Sequence, residues 1–379
     1  MNAVTSSSFT DSKQHFLVLD ALRGIAALMV VIFHVFEIYS GGDHIQQIIN
    51  HGYLAVDFFF MLSGYVMAHA YDDRWDRMTV RQFFVRRLIR LHPMIIFGMT
   101  VGAVCFYFGA SAVFPPIAQT SVWQLLLVLL IGSTLLPIPP SMDIRGWSEM
   151  HPLDGPAWSL FFEYIANVLH ALILRRLSKI LLSLCVVLAG AALVHYAVSG
   201  PTGDLIGGWS LDPQQLRIGF TRLLFPYMAG MLLRRVVPLG GNKRTFGLSV
   251  LMLVTVLSGP RIGGYEHLWM NGLYDAFAVI LLFPLIIYLG AVSDVRGTFT
   301  QKISTFLGDI SYPIYIIHYP LIYVLYAWVS NYSLPIAEGV MLGGVILLAS
   351  IGLSYAALKF YDEPVRTYLA SRFMRSVEK

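Results

Sequence analysis

Two residues suited to proton transfer and anion binding lie on the first apolar stretch of the chain. Arg23 and His34 are eleven positions apart, which is close to three helical turns and places both on one face, about 16 Å apart along the axis. Ionisable groups inside a spanning helix are costly and generally face the protein interior or a wet cavity. We therefore expect this face to wall a reaction chamber, a single tunnel open to both sides of a membrane.

This face offers base catalysis and phosphate binding. The imidazole of His34 is a side chain suited to taking up and releasing a proton, and Glu37 follows three residues later on nearly the same face, where it can orient the ring. The alternative for His34 alone is a histidine that only packs against a neighbouring helix, and the alternative for Glu37 alone is an interfacial residue in contact with water. A guanidinium such as that of Arg23 forks onto phosphate oxygens, or else snorkels to lipid headgroups.

A second group of cations precedes the third apolar stretch. Arg86 and Arg90 are four residues apart and share a helical face, with Arg87 beside them. Together with Arg23 they predict a cytoplasmic cluster that binds a polyphosphate. The alternative is the ordinary positive flank of a membrane span.

Other polar residues inside apolar stretches complete the candidate set. Glu163 lies about one turn inside its span and needs a partner, for which His34 or an arginine is suitable. Proline breaks helices, so we expect Pro313 and Pro320 to interrupt the span that carries the remaining histidine candidate. For the lesser candidates, the alternative roles are helix capping, close helix packing or interfacial anchoring. These candidates are Asp57, Ser63, Trp158, Tyr315 and His318.

Composition places these residues in a membrane. The chain has 379 residues, of which 56% are hydrophobic and 13% charged, and its mean hydropathy is +0.66. These values predict an all-α, polytopic membrane helical bundle rather than a soluble domain. The net charge of +4 does not indicate nucleic-acid binding, because the cations lie in short loops. Cys105 and Cys185 provide neither a disulfide framework nor a metal-binding spacing, so no metal is expected.

About ten spans can be placed, near the ~20 residues that each crossing needs. All but four of the 26 Lys and Arg residues then fall on one side, which the positive-inside rule makes cytoplasmic, with both termini inside. The stretch 122–136 is predicted to lie at the outer interface or to re-enter. Residues 1–379 are expected to form a single domain, with cytoplasmic tails at 1–15 and 363–379. The predicted spans are 20–40, 54–71, 92–111, 157–174, 180–197, 217–233, 246–259, 270–291, 306–328 and 337–358.

Six motifs occur in an order that resembles the acyltransferase-3 family of integral membrane acyltransferases over nearly the whole chain. One departure is Tyr164, which stands beside Glu163 where a second acidic residue is expected. The motifs are Arg23-Gly24-Ile25-Ala26-Ala27 with His34, Val56 to Tyr65, Arg86 to Pro93, Trp158-Ser159-Leu160 with Glu163, Ser311 to Pro320, and Asp362-Glu363-Pro364-Val365-Arg366.

The resemblance implies transfer of an acyl group, with acetyl expected first, from cytoplasmic acyl-coenzyme A. It implies an acceptor hydroxyl on a polysaccharide, a lipid-linked oligosaccharide or a glycoside, in a bacterial inner membrane, and a functional role for Arg23 and His34. We expect His34 to be the general base. The competing interpretations are a transporter or flippase for a sugar or lipid-linked glycan, and a purely structural membrane subunit.

Overall fold

The computed structural model describes residues 16–237 and 244–374. The predicted tail 1–15, Lys243 and residues 375–379 lie outside the described residues. The described part is all-α, and its only β-type pairing is a single bridge between Ser111 and Phe114. Its α-helices are α1 (Leu17–Glu37), α2 (Ala55–Tyr71), α3 (Val80–Cys105), α4 (Val122–Ser133), α5 (Ala157–Leu172), α6 (Lys179–Ser199), α7 (Pro213–Val236), α8 (Phe246–Ser258), α9 (Leu268–Phe277), α10 (Phe283–Ala291), α11 (Thr298–Tyr332), α12 (Ile336–Ala357) and α13 (Glu363–Leu369).

Eight helical stretches in the described ranges are long and apolar enough to cross a membrane, which confirms a polytopic helical membrane bundle. Helices α9 and α10 join through a π-helical turn into one such stretch, Leu268–Ala291. Helix α7 has 24 residues but carries four arginines, and the 13 residues of α8 reach only about 20 Å. The predicted crossings at 217–233 and 246–259 therefore stay predictions. Helix α4 has 12 residues, which fits the prediction that 122–136 does not cross.

Helices α3 and α11 differ from the sequence predictions. Helix α3 begins at Val80 rather than near residue 92, because Thr79 and Gln82 form a capping box that starts it. Helix α11 runs unbroken through Pro313 and Pro320, since each proline removes one hydrogen bond and the flanking turns hold the axis. In the region predicted as a cytoplasmic tail from residue 363, the helical stretch from Ile336 continues to Met374, and the position of this region relative to the membrane stays a prediction.

Glycines let two helix pairs approach closely. A Cβ at Gly24 of α1 would overlap the carbonyl of Leu307 in α11, and a Cβ at Gly308 would lie 2.6 Å from the Cβ of Asp20. Gly64 of α2 and Gly230 of α7 make the same reciprocal contact with backbone carbonyls. Small residues at such crossings are typical of membrane helices. The close α1–α11 contact brings Arg23 and His34 against the polar face of α11.

Two buried apolar clusters meet along α1 and α11. One is built mainly on α2, α7 and the helices from α8 to α10, and it includes Tyr315. The other surrounds α3 and the second half of α11, from Ile316 to Val329, and it includes Tyr319. The polar residues of interest lie along this junction, where two cavities open.

Candidate active site

The larger cavity, of about 720 Å³, contains His34, and we call it the histidine cavity. Its wall combines aromatic rings with two carboxylates, Glu37 and Glu149, and its lining includes one guanidinium, that of Arg222. A volume of this size is in the range of about 300–1,000 Å³ that small-molecule sites occupy. The aromatic lining residues are Phe33, Tyr53, Trp147, Trp158, Trp209, Tyr315, Tyr319 and Tyr326.

His34 is held by Glu37, as the three-residue spacing predicted. His34 Nδ1 lies 2.6 Å from Glu37 Oε2. When Glu37 is ionised it can only accept, so Nδ1 carries the hydrogen and Nε2 keeps its lone pair. This arrangement leaves Nε2 as the basic atom of His34. Both residues line the histidine cavity.

His318 does not line either cavity. Its ring is fully buried and stacks on His34 with centroids 5.5 Å apart, while its Nδ1 lies 3.0 Å from the carbonyl oxygen of Ile314. Tyr319 contacts His34 edge-to-face at 4.6 Å. The structure therefore places His318 against the ring of His34 and outside the residues that line the two cavities.

Asp57 is corrected from a substrate-binding candidate to an internal partner. Its carboxylate is fully buried and accepts hydrogen bonds from Arg222 at 3.1 Å and 2.7 Å. Arg222 also donates to the carbonyl oxygens of Gly207 and Tyr53. The reason is that an intramembrane carboxylate needs a full complement of donors, and the guanidinium on α7 supplies them. The ring of Trp158 lies 5.2 Å from the same guanidinium and lines the histidine cavity, as expected of a binding residue.

Glu149 is a cavity residue that sequence reasoning missed. It lies in the loop before α5, and its Oε2 accepts a hydrogen bond of 2.5 Å from Tyr323. Burial raises the pKa of Glu149 to about 7, although Arg145 and the Tyr323 hydrogen bond oppose that rise. Burial also lowers the pKa of the neighbouring His151 to about 3. The available signal was an acidic residue two positions after Trp147 in a loop between apolar segments.

The smaller cavity, of about 300 Å³, is lined by four guanidinium groups, and we call it the arginine cavity. Arg23 donates to Ser311 Oγ at 2.7 Å and to the carbonyl oxygen of Gly308 at 3.1 Å. Arg90 lies in the electrostatic range of Arg23 and Arg87, and no described residue forms an ion pair with it. The four arginines are Arg23, Arg87, Arg90 and Arg366, and the lining carboxylates are Glu163, Asp309, Asp362 and Glu363.

Glu163 is placed in the arginine cavity, so its expected pairing with His34 is wrong and its pairing with an arginine is right. Its Oε1 accepts from Arg87 Nη2 at 2.7 Å and from Ser63 Oγ at 2.8 Å. Arg87 lies within α3 and not in a loop, and its side chain contacts Glu163 of α5 directly. Ser63 and Glu163 thus orient one arginine and do not belong to the histidine cavity.

The two ends of the predicted arginine cluster differ from expectation. Arg86 lines neither cavity, because the arginine cavity meets the face of α3 that carries Arg87 and Arg90. Arg366, for which the sequence suggested no role, joins that cavity from α13 and forms an ion pair with Asp362 at 3.0 Å. The signal for Arg366 was the Asp362 to Arg366 motif, whose spacing of four places both side chains on one face.

The cavities meet at a partition instead of forming the single tunnel that we expected. Both are lined by Val56 and Tyr315. The hydroxyl of Tyr315 lies 2.7 Å from Ser159 Oγ, and Ser159 donates to the carbonyl oxygen of Pro156 at 2.9 Å. Phe59 packs edge-to-face on Tyr315 at 5.4 Å. This hydrogen bond and this ring contact hold Tyr315 in place between the two cavities.

Within residues 16–237 and 244–374, no group of three or more His, Cys, Asp and Glu side chains is arranged to hold a metal ion.

Known proteins match most of the chain. The model of the acyltransferase-3 family, described as "Acyltransferase domain", matches residues 16–359. "Protein 2 in picA locus" of Rhizobium radiobacter is 34% identical over 165 residues, 42% of this chain and 82% of that protein. No solved structure matches the chain.

Two longer relatives are named as O-acetyltransferases. "O-acetyltransferase OatA" of Staphylococcus aureus is 22% identical over 365 residues, 92% of this chain and 57% of that protein. "Peptidoglycan O-acetyltransferase OatA" of Listeria monocytogenes is 22% identical over 337 residues, 82% of this chain and 50% of that protein. The chain thus spans little more than half the length of these relatives.

Proposed function

Since this chain belongs to the acyltransferase-3 family, we propose that it transfers an acyl group from acyl-coenzyme A to a hydroxyl of a polysaccharide, a lipid-linked oligosaccharide or a glycoside. Acetyl is the first choice of acyl group, because both longer relatives are named for O-acetyl transfer. The single observation that carries the proposal is that an arginine-lined cavity and a histidine-lined cavity adjoin at Tyr315.

The arginine cavity suits the phosphates of the donor. Arg90 has no ion-pair partner among the described residues, and Arg23 and Arg87 are held beside it by hydrogen bonds. Like charges brought together in this way repel one another, and a bound polyphosphate relieves the repulsion and receives forked hydrogen bonds. The thin pantetheine arm then points along α11 toward Tyr315, which must move aside for the thioester to reach His34.

The histidine cavity suits the chemical step. The acceptor O–H gives its proton to His34 Nε2 as its oxygen attacks the thioester carbonyl carbon. The tetrahedral intermediate collapses, the C–S bond breaks, and the thiolate takes the proton back from His34. Glu37 stabilises the imidazolium that forms in between. General base catalysis contributes roughly 10²–10⁴-fold, and positioning the two substrates contributes the rest.

We place the protein in the bacterial inner membrane with both termini in the cytoplasm. This orientation puts Arg81 and the other cations around the start of α3 inside, on the side where acyl-coenzyme A is made. The arginine cavity then faces the donor, and the histidine cavity faces an acceptor outside.

The direct test uses the full chain purified in lipid nanodiscs. We expect acetyl-coenzyme A to raise the unfolding temperature, because a ligand at about 100 times its Kd stabilises a protein by about 2.7 kcal/mol. We also expect radiolabelled acetyl to appear on surface glycan extracted from bacteria. Acetyl phosphate is the matched control, since it lacks the nucleotide and the pantetheine arm.

Two results would refute this function. One is the absence of both stabilisation and transfer with every acyl-coenzyme A tried. The other is movement of intact glycan across the nanodisc or vesicle membrane without acylation, which would favour the transporter or flippase instead.

A further inference from the structure

The charges around the histidine cavity distinguish between classes of acceptor. The ionisable residues that line it, tyrosines aside, are His34, Glu37, His44, Glu149 and Arg222. Glu37 is paired with His34, so this pair carries no net charge when the imidazole is protonated and one negative charge when it is neutral. Glu149 adds a second carboxyl group. Arg145 does not line the cavity but lies in electrostatic range of Glu149. Among the lining groups themselves the balance is therefore neutral to negative.

The guanidinium of Arg222 is not available to an incoming anion. It is 2% exposed, and its nitrogens donate to Asp57 and to two backbone carbonyls. Breaking a buried ion pair of this kind leaves an uncompensated charge and is strongly destabilising. An acceptor that brings a carboxylate, sulfate or phosphate would consequently find two carboxyl groups and no unengaged guanidinium.

The remaining wall is suited to the face of a sugar ring. Trp147 and Trp209 are half-buried and line the cavity, whereas Trp158 is buried against Arg222. Trp147 is braced by Phe114 at 4.7 Å and by Tyr326 at 5.3 Å. A braced aromatic side chain offers a large rigid surface at little entropic cost, and Glu149 lies two residues from it with a carboxyl group able to hold a hydroxyl.

We infer that the histidine cavity takes an uncharged sugar, with its ring against Trp147 and a hydroxyl on Glu149, and rejects sugars that carry an anionic group beside the reacting hydroxyl. This inference rests on the proposed function for its choice of a glycan acceptor. It deepens that function by separating neutral glycans from uronic-acid, sulfated and phosphorylated glycans.

The test measures acceptor binding without any donor. The full chain in nanodiscs is titrated by calorimetry at about pH 8, where Glu149 is largely ionised, with neutral tetrasaccharides of glucose, N-acetylglucosamine and mannose. The matched anionic probe is the glucose tetrasaccharide with its primary alcohols oxidised to carboxylates. We expect at least one neutral probe to bind roughly tenfold or more tightly than the anionic probe, because like charges oppose each other in a desolvated site.

Two variants and one control locate the effect. Glu149→Gln removes a charge and keeps the size, so the preference for the neutral probe should shrink by roughly threefold or more. Trp147→Leu should weaken the neutral probe by roughly tenfold. Trp123→Leu is the control, because Trp123 is 80% exposed on α4, and it should bind like the unmodified chain.

Anionic binding as tight as neutral binding would overturn the inference, as would a failure of every neutral probe to bind. The outcome is separable from the fate of the proposed function. A chain that binds neutral sugars in this way but never accepts acetyl from acetyl-coenzyme A refutes the transferase and leaves the acceptor inference intact. Acetyl transfer that occurs only to uronic-acid glycans would refute the acceptor inference and leave the transferase function intact.

Discussion

The arginine cavity and the histidine cavity share a wall but offer opposite surroundings to a ligand. In the first, Arg90 is left without an ion pair among the described residues and lies near two further arginines. In the second, the guanidinium of Arg222 is paired with Asp57, and carboxyl groups and tryptophans line the cavity. The cavities differ in whether a lining guanidinium is left without an ion pair, and they adjoin at Val56 and Tyr315. Such a pair of cavities suits two ligands of different chemistry that react with each other.

Replacing His34 should have the largest effect, because it removes the base from one cavity only. We expect His34→Ala to lower kcat for acetyl transfer by about 10²–10⁴-fold while acetyl-coenzyme A still raises the unfolding temperature. His195→Ala is the control, since His195 is exposed on α6. Transfer at the unmodified rate by a folded His34→Ala chain would remove the histidine from the mechanism.

Removing the unpaired guanidinium should affect the donor alone. A hydrogen bond to a charged group contributes about 1.5–3 kcal/mol, so Arg90→Ala should raise the KM for acetyl-coenzyme A by about ten- to a hundredfold. The KM for the acceptor should stay the same. Arg81→Ala, an exposed arginine of the same helix, controls for general charge. An equal rise in both KM values would contradict the separation of the two cavities.

Weakening the partition should make the two cavities less distinct. Tyr315→Phe and Ser159→Ala each remove the 2.7 Å hydrogen bond between these hydroxyls, worth about 0.5–1.5 kcal/mol. We expect acetyl-coenzyme A hydrolysis in the absence of acceptor to rise about two- to tenfold in each variant. The double variant should add little, because both changes break one contact. The release of free thiol measures the hydrolysis rate. Tyr355→Phe is the control, because Tyr355 is exposed on α12. Fully additive effects of the two substitutions would argue against a shared contact.

Titration of Glu149 should have the smallest effect on the separation of the two cavities, because it changes the stability of the folded chain. Its pKa is raised to about 7 from about 4.3 in an unfolded chain, so the folded state holds a proton that the unfolded state releases. The resulting stability is present below about pH 4 and is lost as the pH rises through about 7. The unfolding temperature should therefore fall between about pH 4.5 and 7.5 and level off above about pH 8, and Glu149→Gln should flatten that slope. Glu266→Gln, an exposed glutamate, should leave it unchanged, and equal slopes in all three chains would contradict the assignment.

Local relations in the site could be predicted from the sequence. Arg23, His34 and Glu37 lie on one helix, and helical periodicity alone places them on one face, as the structure confirms through their contacts with α11 and with each other. The capping box at Thr79 was equally local, and it would have corrected the start of α3.

Long-range pairings could not be predicted. Asp57 and Arg222 are 165 positions apart, and the sequence offers several other arginines for the same carboxylate. Glu163 was assigned two possible partners, and only the packing of α5 against α3 selects Arg87. The role of Glu149 depends on how a loop folds over α11, where Tyr323 meets it, and no periodic pattern records such a meeting.

A hydrogen-bonded tyrosine between two cavities also bears on the electrical tightness of the membrane. An enzyme whose substrates enter from opposite faces would conduct protons and ions if a continuous water column joined its entrances, and the cell would lose its ion gradients. Under the proposed orientation, Tyr315, packed by Phe59 and hydrogen-bonded to Ser159, lies between the two cavities, where such a column would have to pass. Leakage is then limited to the moments when a donor displaces the ring and fills the gap itself.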